Sequence, residues 1–339
     1  MELDLRGHPL HTRALSVTLT QRDDGRLDAD GSILDVRKRG FVPVGGELQS
    51  SGIVHHMRLV AVVDPATRRI DDAMAEQPAV AFEASAATLG ESCRDPIDAA
   101  SALSGAIVDG SWPERVGDVL GGPRGCFHVF TLAHFLGATV AWALDRERAS
   151  FAGLDRPAGQ RVFRRDLLVD GTQQPDRTLW LGTQLTDLHF TDADGVVRSM
   201  DRLGENLEVR MLVALRPPAF TIAEPRVAER RRTRSALDVP WRDRGDFAAH
   251  LHGLSLLRGV TTALLGRIGE PGADRPLLDT ALMLAPALIQ VFAAVTDWAG
   301  TADRERWMLG MGGKVDSCWM WRRDGALQRL RTPEDPARY

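Results

Sequence analysis

Cysteine is scarce: Cys93, Cys126 and Cys318 are the three in 339 residues. An odd, sparse count argues against a disulfide framework and leaves free thiols, a metal site or plain burial. The N-terminal residues Met1-Glu2-Leu3-Asp4-Leu5 have no apolar signal core. The longest apolar stretch, 129–144, is interrupted by His134 and falls short of the ~20 residues that cross a bilayer. The expectation is therefore a soluble, cytoplasmic protein without a membrane partner. Charge of one sign is lacking as well. A net charge of −4 gives no mark of a nucleic-acid partner. The one basic cluster, 226–234, reads as a solvated loop between a strand and a helix. There is no glycine-rich phosphate loop, no Gly-x-Ser-x-Gly elbow, no His-Glu-x-x-His and no Cys-x-x-Cys, so the chemistries those motifs mark find no support.

What is present is internal likeness. Shifting the chain by 152 residues brings Arg13 onto Arg165, Leu15 onto Leu167, Asp35 onto Asp187 and Arg58 onto Arg210. Over the 61 positions from Arg13 to Ala73 there are 13 identities, where chance gives roughly four. The same shift lays 130–145 on 282–297, and 121–123 resembles 269–271 at a shift of 148. These matches divide the chain into a first repeat, 1–155, a second, degenerate repeat, 156–300, and a tail, 301–339, that carries Cys318.

Each repeat reads as α+β. In the first, 12–21 alternates and is β-branched, Arg22-Asp23-Asp24-Gly25 is a turn, and 26–37 returns. A second hairpin follows over 57–63 and 68–73. Helical spacing then runs over 97–109, 112–120 and 129–148. The last of these is apolar nearly all round and should be buried. In the second repeat the strands are expected at 180–188, 210–215 and 220–223, and the long helix at 277–298 with a kink at Pro286. The expected fold is two pseudo-symmetric units, each an antiparallel sheet of about four strands packed by helices.

Three stretches of the first repeat, and one in the tail, carry a family resemblance. They are Arg22-Asp23-Asp24-Gly25 with the strand ending Ser32-Ile33-Leu34-Asp35, His56-Met57-Arg58-Leu59, Gly125-Cys126-Phe127-His128, and Ser317-Cys318-Trp319. In these the chain resembles the uncharacterised bacterial family DUF 2889. That likeness implies no activity, although the relatives look like catabolic proteins of aromatic compounds. Thr131 stands where the family tends to have Glu, Trp319 where it has His, and His55 where it has Asp.

One constellation can carry chemistry. Cys126 and His128 open a helix, His55 and His56 open a strand, and Cys318 lies in the tail. A thiolate at a helix N-terminus is favoured by the helix dipole, and an imidazole nearby can act as its base. The catalytic candidates are Cys126, His128 and His56. Alternatively Cys126, His128, Cys318 and one of His55 or His56 form an S2N2 set suited to a divalent metal such as zinc. A third reading is structural, with Cys126 packed as a small hydrophobe. Arg13, Arg58 and Trp319 are candidates for substrate binding, although the two arginines, matched in both repeats, also read as ion pairs on the sheet. His55-His56 falls on Leu207-Glu208, Cys126 on Leu278 and His128 on Thr280, so any site belongs to the first repeat. The expected function is that of a small-molecule lyase or hydrolase acting on an aromatic or acyl compound. A non-catalytic ligand-binding protein and a metal-binding scaffold are the alternatives.

Overall fold

The computed structural model describes residues 7–38, 42–44, 47–49, 51–191, 202–216, 219–257, 259–295 and 315–329. Long alternating strands open the chain: β1 (His8–Gln21), β2 (Leu27–Arg37), the small hairpin β3 (Val42–Val44) and β4 (Glu47–Gln49), β5 (Gly52–Val63) and β6 (Ile70–Ala79). The β1–β2 turn forms as its residues dictate. Asp24 accepts the Arg26 N–H, and Gly25 takes a φ of 82° that a side chain would resist. Two helices follow, α1 (Trp112–Leu120) and α2 (Phe127–Ser150).

The chain then returns to strands: β7 (Arg161–Gln173), β8 (Leu179–Phe190), β9 (Leu203–Arg216), the short β10 (Thr221–Ile222), β11 (Arg226–Thr233) and β12 (Arg242–Asp243). Helices α3 (Gly245–Leu251), α4 (Val260–Ile268), α5 (Arg275–Leu282) and α6 (Leu284–Ala293) complete the second half. The expected long helix breaks at Met283 because Pro286, in the first turn of α6, has no N–H to continue the ladder; residues 296–298 of that expected helix lie outside the described residues.

The fold is mixed α+β, built on one antiparallel sheet of ten strands in the order β12-β11-β9-β8-β7-β1-β2-β5-β6, with β10 on β9. At its centre β1 pairs with β7, Leu15 opposite Leu167. On either side many pairings, away from the bulges, repeat at a difference of 152 in residue number. Arg13 faces Asp35 and Arg165 faces Asp187; Arg58 faces Glu76 and Arg210 faces Ala228.

Alternation along the strands separates a buried face from a polar one. On the buried face α2 packs over β1, β2 and β5, α5 over β8 and β9, and α6 over β7 and β1. Close approach of α1 to α2 depends on Gly137, where a Cβ would lie 2.0 Å from the Trp112 indole nitrogen. By length and hydropathy, 127–150 and 272–293 could each cross a membrane, but 78% and 67% of their apolar windows are buried inside the protein, as core helices are.

Two expectations are corrected. Residues 97–109 are not a helix throughout: a 3-10 segment ends at Leu103, and Gly105 and Ala106 bond instead to Ile70 at the start of β6. The basic cluster is not a solvated loop but strand β11. Glu205 and Glu208 of β9 accept from Arg231, Arg230 and Arg232, and the guanidinium groups of Arg210 and Arg230 cover the Trp241 ring, so its charge is answered within the sheet.

Candidate functional site: a buried aspartate ringed by imidazoles beside a thiol

Arg13 on β1 and Asp35 on β2 face each other on the buried side of the sheet, both fully buried. The guanidinium fork donates Nε to Oδ1 at 2.8 Å and Nη2 to Oδ2 at 2.9 Å. Period-two alternation puts His11 on the same face of β1 and His55 opposite Asp35 on β5. His11 Nε2 lies 3.3 Å from Oδ1, His55 Nδ1 3.5 Å from Oδ2, and His128 Nε2, from the first turn of α2, 3.3 Å from Oδ2. The ligand atoms of Asp35, His55 and His128 all lie within 4.8 Å of one another.

Burial alone would raise the Asp35 pKa. The Arg13 charge beside it, with the guanidinium fork and the approach of His128 and His55, outweighs that and holds the carboxyl well below its ordinary range. Burial pushes His128 down to about 3, helped by His55 and opposed by Asp35, and it does the same to His11. At neutral pH the centre thus holds a carboxylate with His11 and His128 neutral. Two groups meet His128 Nε2: the Asp35 carboxylate, which only accepts and favours a proton there, and the Gln290 amide nitrogen at 3.2 Å, which favours a bare nitrogen. With the proton on Nε2, Nδ1 keeps its lone pair.

That lone pair faces Cys126, the N-cap residue of α2, with Sγ 3.9 Å from Nδ1. Burial raises the Cys126 pKa; the backbone N–H groups of Val129 and His128 and the Gln77 amide act the other way. Gln77 is buried, and neither its amide nitrogen nor its oxygen makes a conventional hydrogen bond. Its backbone carbonyl is held by Arg94.

The thiol and imidazole open on a cavity of about 1380 Å³ lined by Arg37, His55, Cys126, His128, α1, α2 and α4 to α6. All three cysteines line it, and so do His134 and Trp319. His134 packs edge-on to Phe130 and is lowered to about 4 by burial. The tail closes one wall. Trp319 donates its backbone N–H to the Gly125 carbonyl and its indole N–H to Asp95, while Arg322, Arg329 and the Ala326 N–H converge on Glu91.

The segment 11–141 matches the family DUF2889, a protein of unknown function. No curated protein and no solved structure matches the chain. The DUF2889 segment holds His11, Arg13, Asp35, His55, Gln77, Cys93, Cys126 and His128, and Cys318 comes to it from outside.

Several expected site residues are displaced. His56 points to the opposite face of β5 from His55 and does not line the cavity, because neighbours on a strand alternate. Arg58 shares that outer face, half exposed, and pairs with Asp30 and Glu76. Arg13 is sealed under the site by its pair with Asp35 and does not reach the cavity. The expected S2N2 metal set does not form. Among the described residues the one group with metal-ligand spacing replaces both sulfurs with Asp35. Sequence reasoning missed His11, Gln77 and Cys93. For His11 the signal was its alternation with Arg13 and Leu15; Gln77 and Cys93 sit in no motif.

The second half keeps an ion pair without the imidazoles. Arg165 holds Asp187 in the same two-point fork, and its Nη1 donates to Asp279 of α5 at 2.7 Å. The corresponding Nη1 of Arg13 has no hydrogen-bond partner.

Proposed function

We propose that the protein is a small-molecule hydrolase of acyl compounds, with Cys126 as nucleophile, His128 as base and Asp35 as the residue that orients the imidazole. The observation that carries this is the relay itself: thiol, Nδ1, Nε2 and carboxylate in sequence, with the thiol end on an apolar cavity. In the reaction Cys126 Sγ attacks the acyl carbonyl as its proton passes to His128 Nδ1. The bond to the leaving oxygen or sulfur breaks, and that atom takes the proton from His128. Water then attacks the thioester, releasing the acid and restoring the thiol. Gln77 and the first-turn N–H groups of α2 are the donors available to the developing oxyanion. Reduced free thiols suit the cytoplasmic setting we assign.

The test is acylation of Cys126 by p-nitrophenyl acetate, followed by mass spectrometry of the intact protein. A burst with an acyl group on Cys126, lost in Cys126→Ala and His128→Ala, supports the reading. Turnover undiminished in a folded Cys126→Ala protein rules it out.

A second reading, a divalent cation on Asp35, His55 and His128, is favoured by the closeness of their ligand atoms. Two features weigh against it. Arg13 engages both Asp35 oxygens and would sit beside the cation. The two imidazoles stack at 3.7 Å, whereas lone pairs converge on a tetrahedral ion from different directions. Elemental analysis of purified protein separates the readings: a stoichiometric metal favours the second.

We also read the two halves as copies of one unit, the second a wall for the cavity of the first. The support is the sequence identity at a shift of 152, the strand pairings that keep that shift, and Leu15 lying opposite Leu167 at the centre of the sheet.

A further inference from the structure

Two of the thiols on the cavity wall are neighbours through the backbone. Cys126 and Cys318 are each an extended residue just before a helical turn, α2 in one case and the 3-10 turn Trp319–Trp321 in the other. A hydrogen bond joins the peptide groups beside them: the Trp319 N–H, next to Cys318, donates to the Gly125 carbonyl, next to Cys126, at 2.9 Å. Residues that flank such a bond between extended segments stand roughly 4.5–5.5 Å apart at Cα, inside the roughly 4.4–6.8 Å that a disulfide spans. Both side chains line the same cavity. Each is felt by the other: after burial, the Cys126 thiolate is the next cause that raises Cys318. Cys93 lines the cavity too, but its N–H bonds to the Phe82 carbonyl instead.

We propose that Cys126 and Cys318 form a reversible disulfide when hydrogen peroxide enters the cavity. In the first step the Cys126 sulfur attacks one peroxide oxygen. The S–O bond forms and the O–O bond breaks. The thiol proton passes by way of His128 Nδ1, 3.9 Å from the sulfur, to the leaving oxygen, which departs as water. Cys126 is then a sulfenic acid. In the second step the Cys318 sulfur attacks it, the S–S bond forms, the S–O bond breaks, and the hydroxyl leaves as water with the Cys318 proton. The two thiols have lost two electrons and the peroxide has gained them. A dithiol reverses the change by exchange, becoming a disulfide itself. Such a bond is of the transient kind found in reducing compartments. It removes the Cys126 thiol and ties the tail, already gathered on Glu91 by Arg322 and Arg329, to the start of α2. It needs the placement of the two sulfurs and not the hydrolase reading.

The test treats the full chain with excess hydrogen peroxide, blocks remaining thiols with N-ethylmaleimide under denaturing conditions, and reads intact mass and peptides by mass spectrometry. No acyl substrate is involved, so the result stands apart from any esterase activity. The expected product is a monomer that has lost two hydrogens, carries maleimide on Cys93 alone, and yields a peptide pair joined through Cys126 and Cys318. Dithiothreitol should restore all three thiols. In Cys318→Ser the reaction should stop at the sulfenic acid, so that dimedone labels Cys126, whereas in Cys93→Ser the bridge should form as before. Three thiols still free after peroxide, a bridge from Cys126 to Cys93, or a bond between two chains would each overturn the proposal. So would dimedone labelling of Cys126 that is equal in the natural protein and in Cys318→Ser.

Discussion

The imidazole of His55 lies flat against that of His128, ring centroids 3.7 Å apart and planes at 27°. Both rings reach the same oxygen of Asp35. Stacking fixes the plane of His128, and the carboxylate fixes which nitrogen faces the thiol.

In the proposed hydrolase His55 is therefore a positioning residue. His55→Ala frees the His128 ring to rotate and should lower kcat for ester hydrolysis about tenfold with KM little changed. His55→Phe keeps a flat ring against His128 and should recover part of the loss. Steady-state kinetics on both variants decides it; equal losses in the two would remove stacking from the account.

Asp35 answers the buried charge of Arg13 and, in the proposed reaction, also orients a base. Asp35→Asn leaves the Arg13 guanidinium buried without its counter-ion, which costs about 3–5 kcal/mol; urea unfolding reads this. Removing the charge too, in Asp35→Asn with Arg13→Met, should restore most of the stability and none of the activity. Recovery of activity in the double variant would show that Asp35 serves only the ion pair.

The three thiols should differ in reactivity. Burial is the first cause in each case, raising Cys126 and Cys93 and pushing Cys318 up to about 12. Each pKa lies above neutral, so the thiolate is scarce at pH 7 and its fraction rises tenfold per pH unit toward the pKa. His128 faces Cys126, which has a base to take its proton. Iodoacetamide followed by peptide mass spectrometry should find Cys126 modified first at pH 7, with Cys318 gaining on it as the pH rises. Cys318 or Cys93 reacting first would contradict the pairing.

Glu91 gathers the tail. It accepts from Arg322 at 2.7 Å, Arg329 at 3.1 Å and the Ala326 N–H at 2.8 Å. Glu91→Ala should leave the sheet intact and expose Cys318, raising its alkylation rate at least about tenfold at fixed pH. Hydrogen exchange over 315–329 should rise in step, and unchanged exchange there would show that the tail is held by its apolar contacts alone.

Much of this molecule was legible in advance because its strands and long helices are strongly patterned. β1, β2, β5 and α2 follow from alternation, turn residues and an apolar helical run. The basic strand β11 was not legible. Its arginines look solvated until Glu205 and Glu208, some twenty residues earlier in the chain, are placed beside them. The site was half legible. Cys126, His128 and Cys318 stood out by chemistry, and Arg13 with Asp35 by their match to Arg165 and Asp187. Which of His55 and His56 faces inward depends on strand register, and it is His55. That the Arg13–Asp35 pair also carries His11, His55 and His128 depends on contacts between β1, β2, β5 and α2 that no spacing in the chain encodes.

The chamber beside Cys126 takes its last wall from residues 316–321, nearly two hundred positions after Cys126 itself. During synthesis the thiol, its imidazole and the aspartate leave the ribosome early, while the lining from α4 to α6 and then the Trp319 segment emerge much later. Until the tail is made, the hollow beside Cys126 lacks that wall.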